Sequence, residues 1–281
     1  MGNGSQTIAA RAKLLARRCV KILCFLTLLL CLTFSVSAQD SQTTLQLEIE
    51  RQTARLKSGD VEVRRDAAHQ LRILENALSS KAADAALKDS ADIVKATAAE
   101  AVVYKTSEDA VRDLLPLLSE KSEFVRREAA FALGQTYDKS ATPRLIQILQ
   151  TDKLPSVRAA AAIALGEIAD ERAIESLGQI LLTPKTKKNR RVVDDFVQRS
   201  AARSLGKIRF KKAVPFLITA LRDTTNADDV RRESAFALGL IADVSATEVL
   251  QAQLGAPDYL LAQTASDALE RIRNSQIVNP D

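Results

Sequence analysis

Side chains that commonly perform catalysis or hold metal ions are scarce in this 281-residue chain. There is one histidine, His69, and the three cysteines, Cys19, Cys24 and Cys31, all lie near the N-terminus. Metal sites and nucleophilic catalysis need such groups clustered at defined spacings. The sequence has no such cluster, no glycine-rich phosphate loop and no serine nucleophile motif. We therefore expect no enzyme activity, no small-molecule substrate, no metal and no cofactor.

Arginines and large apolar side chains recur at equivalent positions of a repeated motif described below. Such residues supply much of the binding energy at protein interfaces. We predict that seven of them form a strip that binds a protein partner: Phe131, Ile163, Phe236, Arg127, Arg199, Arg203 and Arg232. The alternative is that the apolar members pack between neighbouring helices.

A second candidate is a short basic run within an insertion at 183–195. Its five cations are Lys185, Lys187, Lys188, Arg190 and Arg191. They could contact an anionic partner, lipid headgroups or a phosphate backbone. The alternative is a solvated loop inside one helix pair.

The elements that must position these residues are set by a repeat with the pattern Val-Arg-x-x-Ala-Ala-x-Ala-Leu-Gly. Clear copies begin at Val125, Val157, Val197 and Val230, and weaker copies begin at Val63, Val94 and Leu261. The intervals between starts are 31, 31, 32, 40, 33 and 31 residues, which indicates a structural repeat unit. We number the motif positions from 1 at this Val or Leu, and call the helix that carries the motif the Val-Arg helix.

Each unit is predicted to be a pair of helices, because apolar residues recur at helical spacing in the motif and again in a leucine-rich segment before it. One pair cannot bury both of its apolar faces, so the pairs must stack, with polar outer faces on the first and last helices. Four of the nine glycines occupy position 10 of the motif: Gly134, Gly166, Gly206 and Gly239. Either neighbouring backbones approach closely there, or the glycine loosens the helix end.

The segment VRREAAFALGQTYDKSATPRLIQIL at Val125–Leu149 resembles HEAT repeats, specifically the short repeat named after phycobilisome lyases. The resemblance covers residues 45–273 and implies an all-α solenoid of about seven stacked pairs, with the Val-Arg helices on the concave side. It also implies that the arginine at position 2 pairs with an acidic group of an adjacent turn. Arg64, Arg126, Arg158 and Arg231 match that arginine, whereas Lys95, Gln198 and Ala262 depart, so we expect the pairing to be broken in those units.

Residues 1–38 have the pattern of a secretory signal: five basic residues, no acidic residue, an apolar run at 22–36, and small residues before a cleavage site after Ala38. The apolar run is about 15 residues, short of the roughly 20 that span a bilayer. The expected location is therefore periplasmic or extracellular, in a bacterium. The alternative is an uncleaved membrane anchor formed by residues 22–36.

Removal of this segment takes five basic residues from the total of 40 and leaves 35 basic against 35 acidic residues, a net charge of zero. A balanced chain gives no support to nucleic-acid binding. We expect a tail at 39–43, a solenoid at 44–274 and a second tail at 275–281. The expected function is that of an exported scaffold with a protein partner. The alternatives are a membrane-tethered accessory protein and, less favoured, a nucleic-acid-binding HEAT protein.

The mature protein isolated from cells should begin at Gln39, because signal peptidase cleaves after small residues that follow an apolar run. N-terminal sequencing of the material checks this. Recovery of a product that retains residues 22–36, in the membrane fraction, would instead support the anchor.

Overall fold

A computed structural model describes residues 42–184 and 194–278. Within those ranges the chain forms helices and turns, with no strand, which confirms the predicted all-α solenoid. The proposed signal at 1–38 and the basic run Lys185–Arg191 lie outside the described residues. By its contacts the chain divides at 51/52. Of the first unit, residues 42–51 are described, and they are helical. The second unit begins at residue 52.

The described chain contains fourteen α-helices, most of them linked by short 3-10 turns. Their bounds are α1 42–55, α2 Val61–Ile73, α3 Ala77–Ala82, α4 Asp92–Ala101, α5 Ser107–Leu114, α6 Glu123–Gln135, α7 Thr142–Thr151, α8 Pro155–Ile168, α9 Ile174–Leu181, α10 Asp195–Ile208, α11 Val214–Arg222, α12 Asp228–Ile241, α13 Thr247–Gln251 and α14 Tyr259–Val278. Six successive pairs, α3–α4 to α13–α14, follow α1 and α2.

The even-numbered helices from α2 to α14 are the Val-Arg helices, and each packs along the next. The odd-numbered helices from α5 to α13 pack on their own partners and touch one another much less, so the Val-Arg helices form the more closely packed of two layers. The core between the layers consists of fully buried leucines from both, such as Leu133 in α6 and Leu145 in α7, and of buried motif alanines. This packing hides the apolar faces that single pairs leave open.

Many of these helices begin at a residue whose side chain caps the first backbone N–H groups. The carboxylates of Asp60, Asp170 and Asp258 accept hydrogen bonds from backbone N–H groups at the beginning of the following helix or turn. Thr106 caps α5 and Asp138 caps the turn before α7, because each side chain accepts a hydrogen bond from a backbone N–H group at the start of the element.

The turn that leaves a Val-Arg helix is sharp in most repeats. A non-glycine residue adopts a left-handed backbone there, with φ between 45° and 58°: Glu75, Tyr137, Ala169, Arg209 and Ala242. This conformation costs roughly 1–2 kcal/mol. An aspartate then often begins the next turn. Burial alone would raise the pKa of Asp170, but hydrogen bonds from the Arg172 side chain and backbone lower that pKa to about 2.

The recurring glycine marks a point where two Val-Arg helices nearly touch. A Cβ atom added at Gly134 would lie 2.8 Å from Cα of Ala164, and one added at Gly206 would lie 2.8 Å from Cα of Ala237. Gly166 meets Ser204 and Gly239 meets Ala268 in the same way. In every case position 10 of one motif faces position 8 of the next. Of the two explanations for the recurring glycine, the structure therefore supports the close approach of neighbouring backbones and not the loosened helix end.

Position 2 of the motif fastens neighbouring elements together. Arg126 makes two hydrogen bonds to the carboxylate of Asp152, at 2.7 and 3.2 Å, and donates to two backbone carbonyls that precede α6. Arg64 binds Asp89 and two backbone carbonyls in the same manner. One guanidinium thus joins the turn before its own helix to the turn of the following pair.

This pairing differs from the expected pattern in several repeats. Lys95 was expected to break it but does not, since its ammonium lies 2.9 Å from a carboxylate oxygen of Glu120. Gln198 forms no ion pair, although its amide donates to the carbonyls of Leu181 and Thr183. Arg231 was expected to bind an acidic group in an adjacent turn; it binds the side-chain oxygen of Gln253 in the following pair and lies 3.7 Å from Asp228 in the first turn of its own helix.

Arg158 matches the motif but lacks the pairing. Its side chain is buried, and its Nε finds no hydrogen-bond partner among the residues that the structure describes. Burial lowers the pKa of this guanidinium, and the charges of Asp194 and Asp152 offset part of that effect. At this position the turn of the following pair carries the insertion, so the aspartate that serves Arg126 has no described counterpart.

The C-terminal boundary of the solenoid was predicted too early. Helix α14 runs to Val278, so residues 275–278 continue the helix and are not part of a tail. The hydroxyl of Ser275 donates to the carbonyl of Ile272 and lies 3.4 Å from that of Ala242. The exposed side of α14 carries Gln263, Asp267 and Glu270 among other polar residues, as expected of a capping helix.

Replacing Gly134 with Val should lower the free energy of unfolding by about 2 kcal/mol or more, because the new side chain would force α6 and α8 apart. Gly255→Val is the matched control. An added Cβ there meets nothing within 4 Å, so we expect a change within about 0.5 kcal/mol. Urea unfolding followed by circular dichroism measures both. Equal stability of the two variants would contradict close packing at Gly134.

Arg126→Met and Arg158→Met should have different effects on the free energy of unfolding. Loss of Arg126 leaves the carboxylate of Asp152 nearly buried without its cation, which should cost about 3 kcal/mol. Loss of Arg158 removes a buried charge that has no ion pair among the described residues, so stability should stay the same or rise by up to about 2 kcal/mol. Chemical denaturation of both proteins tests this. A loss at Arg158 as large as that at Arg126 would show that Arg158 is paired in solution.

Candidate partner-binding face

The exposed side of the central Val-Arg helices is the surface on which the predicted strip lies. Positions 0, 3 and 7 of the motif fall on one side of a helix, where position 0 is the residue just before the Val. We call the large side chains at these positions in α6, α8, α10 and α12 the Val-Arg face: Phe124, Arg127, Phe131, Ile163, Phe196, Arg199, Arg203, Arg232 and Phe236.

The three predicted apolar residues are neither core residues nor fully exposed. Phe131, Ile163 and Phe236 are each half-buried, while the residues beside them in the chain, such as Ala130 and Ala132, are buried completely. Part of each side chain therefore packs against the layer and part remains open to solvent. Such half-buried apolar groups can be covered further by a partner without any rearrangement of the core.

Three of the four predicted arginines pair with the next helix pair along the stack. Arg203 makes two hydrogen bonds to Glu233, at 2.8 and 3.1 Å. Arg232 lies 2.6 Å from Asp258, and Arg199 lies 3.4 Å from Asp229. Arg127 binds Glu128 of its own helix at 2.9 Å. The arginines therefore link repeats and are already matched by carboxylates.

These pairs leave the face nearly neutral. The hydrogen bond from Arg232 lowers the pKa of Asp258, and the hydrogen bond to Glu233 raises the pKa of Arg203, which favours the charged form of each group. Arg199 and Asp229 are both exposed, and exposed ion pairs are weak, at about 0–1 kcal/mol. A partner can therefore exchange contacts with Arg199 at little cost, whereas Glu233 and Asp258 are largely buried and their pairs are harder to replace. Net positive charge does not attract a partner to this face.

Two aromatic residues of this face were not among the predicted site residues. Phe124 and Phe196 occupy position 0, and the guanidinium of the arginine at position 3 lies over each ring, with Arg127 5.2 Å and Arg199 5.3 Å from the ring centres. Arg271 of α14 lies 5.0 Å from the ring of Phe236. The signal was an aromatic residue directly before the motif Val, a position that the ten-residue motif does not include.

The remaining chemistry of the described residues is limited. His69 lies on α2, half-buried, near Asp66 and Glu100. No group of three or more His, Cys, Asp or Glu side chains in the described ranges could hold a metal ion. No helix in those ranges is long and apolar enough to cross a membrane. The sequence-predicted cations of the insertion, Lys185, Lys187, Lys188, Arg190 and Arg191, lie outside the description.

Comparison with known proteins identifies the repeat. A family model described as HEAT repeats matches residues 79–153, 111–195 and 193–270, which together make up more than half of the chain. No curated protein matches the chain.

Solved structures of several repeat proteins resemble this fold. The YibA protein of Escherichia coli is 22% identical, with a TM-score of 0.53 over 80% of this chain and 82% of that chain. The CpcE–CpcF complex of phycocyanin lyase from Nostoc sp. PCC7120 is 24% identical, with a TM-score of 0.50 over 80% and 94% of the two chains. An engineered protein is 25% identical, with a TM-score of 0.50 over 80% and 68%. At these identities the similarity establishes the fold alone.

Proposed function

This chain belongs to the HEAT-repeat family, and we propose that it is a non-enzymatic scaffold that holds a protein partner on its Val-Arg face. The observation that carries the proposal is the row of half-exposed apolar side chains on successive Val-Arg helices, with arginines stacked on three of the rings. Aromatic and arginine side chains are favoured at interface hot spots. Repeat stacking holds them on closely packed helices, so little side-chain or backbone order is lost on binding.

The chemistry of binding follows from how these side chains are held. Phe196 is 44% exposed, and Arg199 lies over its ring, so a partner that covers the ring also removes water from the guanidinium and strengthens their attraction. The carboxylates beside the arginines fix their orientation. A partner with an apolar ridge flanked by hydrogen-bond acceptors would fit this pattern.

We propose in addition that the scaffold acts outside the cytoplasm, after export directed by residues 1–38. The alternative is a scaffold that stays tethered to the membrane by residues 22–36. The same face would be used in both cases. A nucleic-acid ligand is disfavoured because the arginines of the face are matched by carboxylates such as Asp229, Glu233 and Asp258.

Catalysis remains the least favoured class. Phycocyanin lyase shares the fold, but fold similarity does not carry activity from one protein to another. Cysteines occur only within residues 1–38, and His69 is the single histidine. A scaffold binds through surface complementarity along successive repeats and needs none of these groups.

Phe196→Ala combined with Phe131→Ala should lower capture of the partner about tenfold or more, since hot-spot aromatics contribute 2 kcal/mol or more each. Cross-linking in intact cells with a photoreactive residue at Gln135 of α6, followed by mass spectrometry, identifies the partner and measures its yield.

Phe210→Ala is the matched control for that experiment. Phe210 is 42% exposed and lies just beyond the other end of α10, away from the face. This variant should capture the partner as the unaltered protein does. Equal loss from both aromatic variants, or no loss from either in folded protein, would exclude the Val-Arg face as the binding surface.

A further inference from the structure

A second surface of the solenoid is a cleft on the edge where the first helix of each pair turns into the Val-Arg helix. The cleft has a volume of about 510 Å³ and lies between the turns at 119–122 and 152–154, next to α7. Ile148 and Leu154 supply apolar surface to it, and Lys121, Arg144 and Lys153 supply cations. It contains no residue of the Val-Arg face.

The carboxylates that line this cleft are already engaged. Asp152 accepts two hydrogen bonds from Arg126 and one from the backbone N–H of Leu154. Glu120 binds Lys95 of the preceding repeat. Neither carboxylate pairs with the other cations of the cleft, so those cations are not neutralised from within it.

Three cations therefore face the cleft without an anionic partner among the described residues: Lys121, Arg144 and Lys153. Arg144 is positioned by neutral groups. One of its terminal nitrogens donates to the hydroxyl of Ser119 at 2.8 Å, and the other donates to the side-chain oxygen of Gln147. Both lysines are exposed at the same place in successive turns, four residues before the motif Val. A planar guanidinium between two lysines is a suitable receptor for carboxylates.

The preceding repeat contains the same cleft with different charges. That cleft, of about 650 Å³, is lined by Asp84, Asp89, Asp113 and Glu120 as well as by three cations. When the fully buried Leu114 and Leu145 are aligned, Asp113 corresponds to Arg144, and Ser90 stands four residues before Val94 as Lys121 stands before Val125. Stacking thus produces the cleft, and substitution at these two positions makes the later one cationic.

We propose that the cleft at 119–154 binds an acidic segment of a protein partner, with side-chain carboxylates at Lys121, Arg144 and Lys153 and an apolar side chain against Ile148 and Leu154. This proposal rests on the proposed function, because the acidic segment belongs to a protein partner. The apolar wall favours a peptide over inorganic phosphate, which has no apolar part. The site is a cleft between two turns, which a narrow peptide segment enters more readily than a flat bilayer does.

The probe is an acetylated and amidated decapeptide of alternating Glu and Leu, with the Gln–Leu decapeptide as its neutral counterpart. Isothermal titration of the purified protein at low salt should show at least about tenfold tighter binding of the acidic peptide. Added salt should weaken that binding, because the contacts are exposed charges. Equal binding of the two peptides would overturn the proposal.

The double variant Lys121→Glu, Lys153→Glu should weaken binding of the acidic peptide about tenfold or more, and Arg144→Gln should also weaken it. Lys88→Glu, Arg112→Glu is the matched control, because it makes the same charge change in the preceding cleft and should alter affinity by less than about twofold. Thermal melts of all variants establish that they fold. Equal loss in the control would show a general charge effect and overturn the assignment.

Two further arms separate the possible occupants. Inorganic phosphate that displaces the peptide completely at equal concentration, or vesicles of phosphatidylcholine and phosphatidylglycerol that bind through Lys121 and Lys153 while the peptide does not, would each overturn a peptide site. The proposed function fails separately. If Phe131→Ala with Phe196→Ala left partner capture unchanged while the peptide still bound the cleft, the cleft would stand and the Val-Arg face would not.

Discussion

The close approach of neighbouring Val-Arg helices is the constraint on which the rest of the structure depends. Position 10 must be glycine in the central repeats, because any Cβ there would come within 3 Å of the next helix. Position 8 of that helix must be small for the same reason, and it is Ala164, Ala237, Ala268 or, in one case, Ser204. The hydroxyl of Ser204 donates to the carbonyl of Ala162, so even the polar exception is satisfied within the contact.

This packing explains why polar links between repeats occur at the margins of the layer. Once the backbones touch, positions 2, 3 and 7 of one helix come within reach of carboxylates of the following pair. Arg126 then binds Asp152 on one edge, and Arg203 binds Glu233 on the exposed face. The first pair is nearly buried and has four hydrogen bonds, whereas in the second Arg203 is exposed and Glu233 is nearly buried. The edge pairs therefore reinforce the arrangement of the repeats, and the guanidinium of Arg203 on the face stays open to solvent.

The middle of the solenoid departs from this regularity. Arg158 and Gln198 occupy successive position 2 sites, and within the described residues neither has the ion pair that Arg64, Lys95 and Arg126 have. The helix packing continues through this region without interruption, since α8, α10 and α12 remain in close contact. Apolar and backbone packing of the small residues is thus sufficient to hold the stack. The ion pairs add to an arrangement that the glycine and alanine positions already determine.

The sequence alone determined the helix pairs, their stacking and the faces that they bury, because a period of about 31 residues and helical apolar spacing act locally. It also located Phe131, Ile163 and Phe236 on the surface that the structure leaves half open. Only the tertiary structure decided what the charged side chains do. Lys95 keeps a pair that its residue type was expected to lose, Arg158 finds no such pair among the described residues, and Lys121, Arg144 and Lys153 meet at one cleft. These outcomes depend on which side chain of the next repeat lies within a few ångströms of the charged group. A repeat motif specifies positions along one helix, but it does not specify which residue of the neighbouring repeat lies opposite each position.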